Sequence, residues 1–253
     1  YVEGEMDGVC KSWNSYGLIY ERMYDKGEII SSLELSYYEN GQKKDEENYL
    51  NNKLHGLSKG WYENGNQKYE HNYNNGLENG FYREWFENGD LKFDGSYVEG
   101  EMDGVCKSWN SYGLVYERLY EKGKISSSLE ISYYSGGQKK KEENYLNNEF
   151  HGVVKEWYEN GVKSFESNYK NGLKDGLSKG WYENTIQEYE HNFTNGLKDG
   201  INREWYENGN NYINFNYLEG KLHGLCKSWF NNGQKKSKVE YSNGEINGVK
   251  KEW

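Results

Sequence analysis

Aromatic, aliphatic and glycine positions recur along the chain at a fixed interval of 24 residues, and this period sets the pattern of elements. Trp13, Trp61, Trp85, Trp109, Trp157, Trp181, Trp205, Trp229 and Trp253 are all the tryptophans of the chain, each 24 or 48 residues from the next, and the two vacant slots hold Tyr37 and Tyr133. Five residues before the anchor stands Gly, from Gly8 through Gly248, with Ser32 and Ser128 as the two departures. Four before it comes a large apolar residue such as Val9, Leu57, Phe81 or Ile201, and four after it Gly again, with Thr185 as the one exception. Twelve after it, most units carry Tyr or Phe, as at Tyr49, Tyr73, Tyr97, Tyr145, Tyr169, Phe193, Tyr217 and Tyr241. Self-similarity at such a period is the signature of a repeat architecture.

Within a unit, a run ending in Trp61-Tyr62 is followed by Glu63-Asn64-Gly65 and then by a second run ending in Tyr73. Asn-Gly between two such runs predicts a type I′ hairpin turn, whose two central residues need positive φ. The second connection, carrying Gly76 and Gly80, is another turn. Each repeat is therefore two antiparallel strands of about six residues. The expected fold is all-β: an elongated, twisted, single antiparallel sheet of about 21 strands, an open solenoid-like ribbon on the order of 100 Å long. Residues 1–253 read as one array of ten to eleven repeats, with degenerate units around 28–36 and 124–132. There Glu28-Ile-Ile-Ser-Ser-Leu-Glu-Leu replaces the usual turn sequence, leaving open whether these units bend the ribbon or mark a contact.

Two registers compete. A two-residue Asn-Gly loop sets Lys59 opposite Glu70, Arg83 opposite Asp94, Lys155 opposite Glu166 and Lys179 opposite Glu190. Opposite charges facing each other contribute a few tenths to ~1 kcal/mol, which favours this register. A three-residue loop with a bulge would instead bring Trp61, Tyr69 and Tyr73 onto one face, since a one-residue slip exchanges the faces. A further layer of similarity records growth by whole repeats: residues 1–56 match 97–152 at 45 of 56 positions. Duplication of that kind implies units that stack on any neighbour.

Composition narrows the function. Only 34% of residues are hydrophobic, half of that share is aromatic, and Pro is absent. A thick aliphatic core is excluded, and so is a disordered chain, which would be poor in aromatics. The net charge of −10 argues against nucleic acid as a partner. No apolar run approaches the length of a bilayer span. With Tyr1 and not Met in first place, the lack of a signal-like segment leaves the compartment open between cytoplasm and cell surface.

Candidate chemistry is sparse. Cys10, Cys106 and Cys226 share one repeat position, four and five repeats apart, too far for a disulfide. The same slot holds Ser58, Val154 and Asn202 elsewhere, so the cysteines read as filler. His55, His151 and His223 each precede a repeat-opening Gly, a slot that elsewhere takes Asp or Asn, and His71 and His191 are mutual equivalents. Turn tolerance explains the first set, and no ligand spacing for a metal emerges. Glu63, Glu87, Glu159, Glu183 and Glu207 occupy one hairpin position beside Tyr62, Phe86, Tyr158, Tyr182, Tyr206 and Phe230. We expect no catalytic residues and no cofactor. These acidic and aromatic turn residues are the candidate partner-binding surface.

The run Tyr38-Glu-Asn-Gly-Gln-Lys-Lys44 with Glu46-Glu-Asn-Tyr-Leu-Asn-Asn-Lys-Leu-His-Gly56, repeated as Gly137-Gln-Lys-Lys-Lys-Glu-Glu-Asn-Tyr-Leu-Asn-Asn-Glu-Phe-His-Gly152, resembles the bacterial variant of the MORN repeat. The likeness extends along the whole chain, although the spacing of 24 exceeds the family's common period. It implies an open antiparallel sheet without catalytic residues, and roles in protein–protein scaffolding, membrane association or antitoxin action. The expected function is a non-enzymatic interaction scaffold for a protein partner; a basic toxin neutralised by the acidic ribbon is its specific form. The alternatives are an envelope repeat that binds glycan or lipid through its aromatics, and a self-assembling protein. Tyr1 and Trp253 cut the repeat in mid-phase, so head-to-tail pairing of sheet edges is expected for the last.

Overall fold

The computed structural model describes residues 4–253, so the head-to-tail contact expected at Tyr1 lies outside the described residues. No helix occurs among them, and every regular element is a strand. The chain divides into two compact units, Tyr1–Ser126 and Ser127–Trp253. In each, consecutive strands pair antiparallel with their chain neighbours, and the sheet does not close. Five two-residue strands, such as Lys53–Leu54 and Leu197–Lys198, precede a longer strand by one residue. Each such pair is one strand broken by a bulge, which leaves 21 strands among the described residues, the number the repeat rhythm predicts.

The break is a backbone event. At Gly56, φ is +81°, a value that L side chains resist, and the preceding His55 N–H turns to the Asn48 carbonyl at 2.8 Å. Where Ser32 and Ser128 replace this Gly, Glu28–Tyr37 and Lys124–Tyr133 run as unbroken ten-residue strands. The degenerate units thus remain strand, with Ile30 skipped in the register against Gly17–Asp25, and their turn survives just upstream, at Lys26-Gly27 and Lys122-Gly123.

The turn assignment needs correction. In the Glu-Asn-Gly connection, Gly65 N–H donates to the Tyr62 carbonyl at 2.9 Å and Tyr62 N–H to the Asn66 carbonyl at 2.8 Å. That is a three-residue loop with Gly65 left-handed at φ +88°, a type I turn followed by a G1 bulge. The type I′ turns lie in the other connection, where pairs such as Asn51-Asn52 (φ 49° and 60°) and Asn75-Gly76 (51° and 85°) are both left-handed.

The charge-matched register nevertheless holds. Lys59 faces Glu70, Arg83 faces Asp94, Lys155 faces Glu166 and Lys179 faces Glu190. A second irregularity between Gly60 and Trp61 lets Lys68 slip out of register and cancels the one-residue shift of the longer loop. Each of the two competing registers is thus met in part: the three-residue loop forms, and Trp61 does not join Tyr69 and Tyr73.

Alternation then defines two faces. On one, Gly56, Ser58 and Gly60 stand opposite Tyr73, His71 and Tyr69. This face holds the thin core, a row of small side chains under aromatic rings. Ser58 and Cys106 in the first unit, and Val154, Ser178, Asn202 and Cys226 in the second, are all buried at the slot three before the anchor. On the other face, charges alternate from strand to strand. The first unit runs Glu46, Lys59, Glu70, Arg83, Asp94, Lys107, Glu117. Trp61 lies on this charged face, capped by the Lys43 ammonium 5.1 Å from its ring, which is itself held by Glu46 at 2.6 Å.

Candidate interaction surface

The candidate residues project from the turn after each Trp, Glu-Asn-Gly in most units, Glu183-Asn184-Thr185 after Tyr182 and Asn231-Asn232-Gly233 after Phe230. Each turn is tied to the next by its own side chains. The Tyr62 hydroxyl donates to the Trp85 carbonyl at 2.8 Å, as Tyr38 does to Trp61. In the second unit Tyr134, Tyr158, Tyr182 and Tyr206 donate to the carbonyls of Trp157, Trp181, Trp205 and Trp229 at 2.7 to 3.0 Å. A second tie runs beside it: the Asn64 amide donates to the Glu87 carbonyl at 2.9 Å, and Asn184 to Glu207 at 3.0 Å. The same Asn side chains accept the backbone N–H two residues on, closing their own loops. The Tyr-Glu-Asn-Gly signature is thus one hydrogen-bonded device, repeated from turn to turn.

These bonds sort the predicted site residues. Tyr62, Tyr158, Tyr182 and Tyr206 are half-buried, with their hydroxyls committed to the backbone. Burial, followed by neighbouring carboxylates including Glu188 and Glu207, raises the Tyr158 and Tyr182 pKa, so both phenols stay protonated donors. Phe86 and Phe230 fill the same slot without a hydroxyl, and Phe230 is 41% exposed. Glu63 and Glu87 in the first unit, and Glu159, Glu183 and Glu207 in the second, are exposed. Among the described residues none of the five has an ion-pair partner, whereas Lys and Glu on the sheet face are extensively paired. In the second unit a shallow hollow lined by Tyr182, Tyr206, Glu207, Asn208 and Asn231 opens on this row.

The remaining candidates fall elsewhere. Cys106 and Cys226 are buried, which raises their thiol pKa; Cys10 is half-exposed, and all three are free. His55, His151 and His223 sit at the strand breaks. His191 Nε2 lies 2.9 Å from Glu204 Oε1, a bond that lowers the Glu204 pKa. No group of three His, Cys, Asp or Glu suited to a metal ion occurs among the described residues. The arrangement offers recognition by charge, aromatic rims and hydrogen bonds.

No curated protein matches the sequence. Among solved structures, the chain is similar to TcdB2-TccC3 without its hypervariable C-terminal region (9% identity, 91% of this chain and 15% of that one, TM-score 0.25). It is similar also to the TcdB2-TccC3-Cdc42 structure (11% identity, 92% and 15%, TM-score 0.21). The chain thus spans about 15% of the length of these proteins. The family described as MORN repeat variant matches residues 33–51, 54–75, 150–171 and 222–243. Repeats of this family form scaffolds and mediate protein or membrane interactions. Four matches set on one 24-residue clock, over strands that fold as open hairpin sheets, show that the chain carries MORN repeats of the variant type at those residues.

Proposed function

We propose that the chain is a non-enzymatic scaffold for protein–protein interaction, and that its turn row receives a partner through basic side chains, in the manner of an antitoxin capping a basic toxin. One observation carries this reading. The carboxylates of Glu63 and Glu87, and of Glu159, Glu183 and Glu207, stand exposed and unpaired at equivalent turns, each beside an aromatic ring. The Tyr–Trp carbonyl bonds fix most of those rings before any partner arrives. A rigid aromatic next to a free charge is a pre-organised contact, which lowers the entropic cost of association.

The test is affinity purification from the native cell with the full chain as bait, beside the triple variant Glu159→Gln, Glu183→Gln, Glu207→Gln. A stoichiometric basic protein is expected with the parent chain. The variant should bind it at least about tenfold more weakly, since each rim charge contributes modestly and the three add. Equal recovery by the variant would remove the turn row as the docking surface. Recovery of lipid or wall glycan in place of protein would overturn the protein-partner assignment.

A further inference from the structure

The charge ladder of the second unit breaks in a directed way. Successive register partners run Glu142, Lys155, Glu166, Lys179, Glu190, Arg203, and then Asn214, Lys227, Lys238, Lys251. Lys238 therefore has a lysine directly opposite on both sides, an arrangement that destabilises a sheet. It occupies the slot nine after the anchor, where Glu142, Glu166 and Glu190 stand in earlier repeats. Lys155, Lys179 and Arg203 each have a carboxylate within 3.5 Å, whereas Lys227, Lys238 and Lys251 have no ion-pair partner among the described residues. Glu240, two residues along the same face, lies against Gly248, and Glu252 is held by Lys250 at 3.3 Å.

The surroundings have the form of a site. Lys227, Trp229, Lys235, Lys238 and Trp253 line one hollow, and the Lys235 and Lys251 ammoniums stand 5.7 and 5.0 Å from the Trp253 ring. From Lys221 to Trp253 seven lysines meet three glutamates, in a chain whose net charge is −10.

We propose that this part of the second unit binds an acidic peptide segment, whose carboxylates take the rungs that Glu fills elsewhere in the ladder. The ligand chemistry comes from the molecule itself, since the group facing a ladder lysine is a carboxylate at Lys59, Lys107, Lys155 and Lys179. Strands at ~4.8 Å spacing put the three ammoniums across about 10 Å, the reach of about three residues of extended chain. Trp229 and Trp253 supply apolar walls for the stems of Glu side chains. This surface differs in sign and residues from the acidic turn row, so the two assignments stand or fall separately.

The experiment titrates a hexaglutamate peptide into the full chain at low salt, followed by tryptophan fluorescence. Lys238→Glu restores the alternation; it should weaken binding at least about tenfold and raise the thermal midpoint, so lost binding is separated from lost folding. Lys236→Glu makes the same charge change beside Phe230, 5.7 Å from that ring and off the ladder, and should leave the affinity within about twofold. Absence of saturable binding by the parent chain, equal affinity in Lys238→Glu, or equal loss in both variants would overturn the proposal.

Discussion

His71 lies between two phenol rings, 4.8 Å from Tyr69 and 3.5 Å from Tyr82 by centroid, and its Nε2 has no partner. Burial outweighs the pull of Glu84 and Glu78 and holds its pKa below the ordinary imidazole value of 6.5. The unfolded chain therefore takes up a proton that the folded chain refuses. Stability is complete above the unfolded pKa and is lost as pH falls through it toward the lowered folded value. We expect the urea midpoint to drop on acidification from about pH 7.5 to about pH 5.5, and His71→Phe to reduce that drop. An identical slope in parent and variant would assign the effect to other groups. At this scale the sequence exposes rows and conceals bonds. The row from Tyr62 to Phe230 is visible as a period, yet its main partner is a backbone carbonyl 23 residues on, and a main-chain atom leaves no mark in a sequence. Phe86 and Phe230 in the same slot further disguise the hydroxyl as dispensable. The cysteines are legible because Ser58, Val154 and Asn202 share their place, and only a small buried slot accommodates all of these.

Among the elements, the turns carry the most specific chemistry. Thr185 stands where the other Glu-Asn turns have Gly, and its φ of 74° is left-handed, a conformation that β-branched residues resist. Its N–H still donates to the Tyr182 carbonyl at 3.0 Å, so the neighbouring bonds hold it in place. Thr185→Gly should stabilise the second unit by about 1 kcal/mol, the relief of backbone strain less the entropy of a glycine in the unfolded chain. Chemical denaturation measures it, and an unchanged or lower midpoint would refute strain at this turn. The hairpins, their number and the cross-strand charge pairs follow from period and charge alone. The turn types do not, because Asn-Gly occurs in both connections, as at Asn64-Gly65 and Asn75-Gly76. What separates them is Glu63, which lengthens the first loop to three residues, and the bulge at Gly60 and Trp61 that restores the register. Neither alters the alternation of charges that marks the register. The long strands Glu28–Tyr37 and Lys124–Tyr133 are hidden for the converse reason: loss of a glycine at Ser32 and Ser128 looks like loss of a turn, whereas the chain continues there as strand.

For the molecule as a whole, energy is distributed along the chain and not gathered in a centre. The buried apolar side chains among the described residues are Cys106, Ile131, Val154, Cys226 and Val239, none of them aromatic. Strands pair with their near neighbours in sequence, and stability in such arrays is a sum of unit and nearest-neighbour terms. Gly60 tests this. A Cβ there would collide with the Tyr69 ring, and that ring cannot swing aside without breaking the bond from its hydroxyl to Asp45 Oδ1 at 3.0 Å. Gly60→Ala should therefore cost about 1–3 kcal/mol. The loss should appear in amide exchange of Lys43–Leu50, Gly56–Trp61 and Gln67–Asn74, which contain or flank the contact. Strands of the Ser127–Trp253 unit, such as Gln187–Thr194, should keep their protection. Faster exchange of equal size in both units would mean that the array unfolds as one cooperative body, and that nearest-neighbour pairing does not confine a local defect.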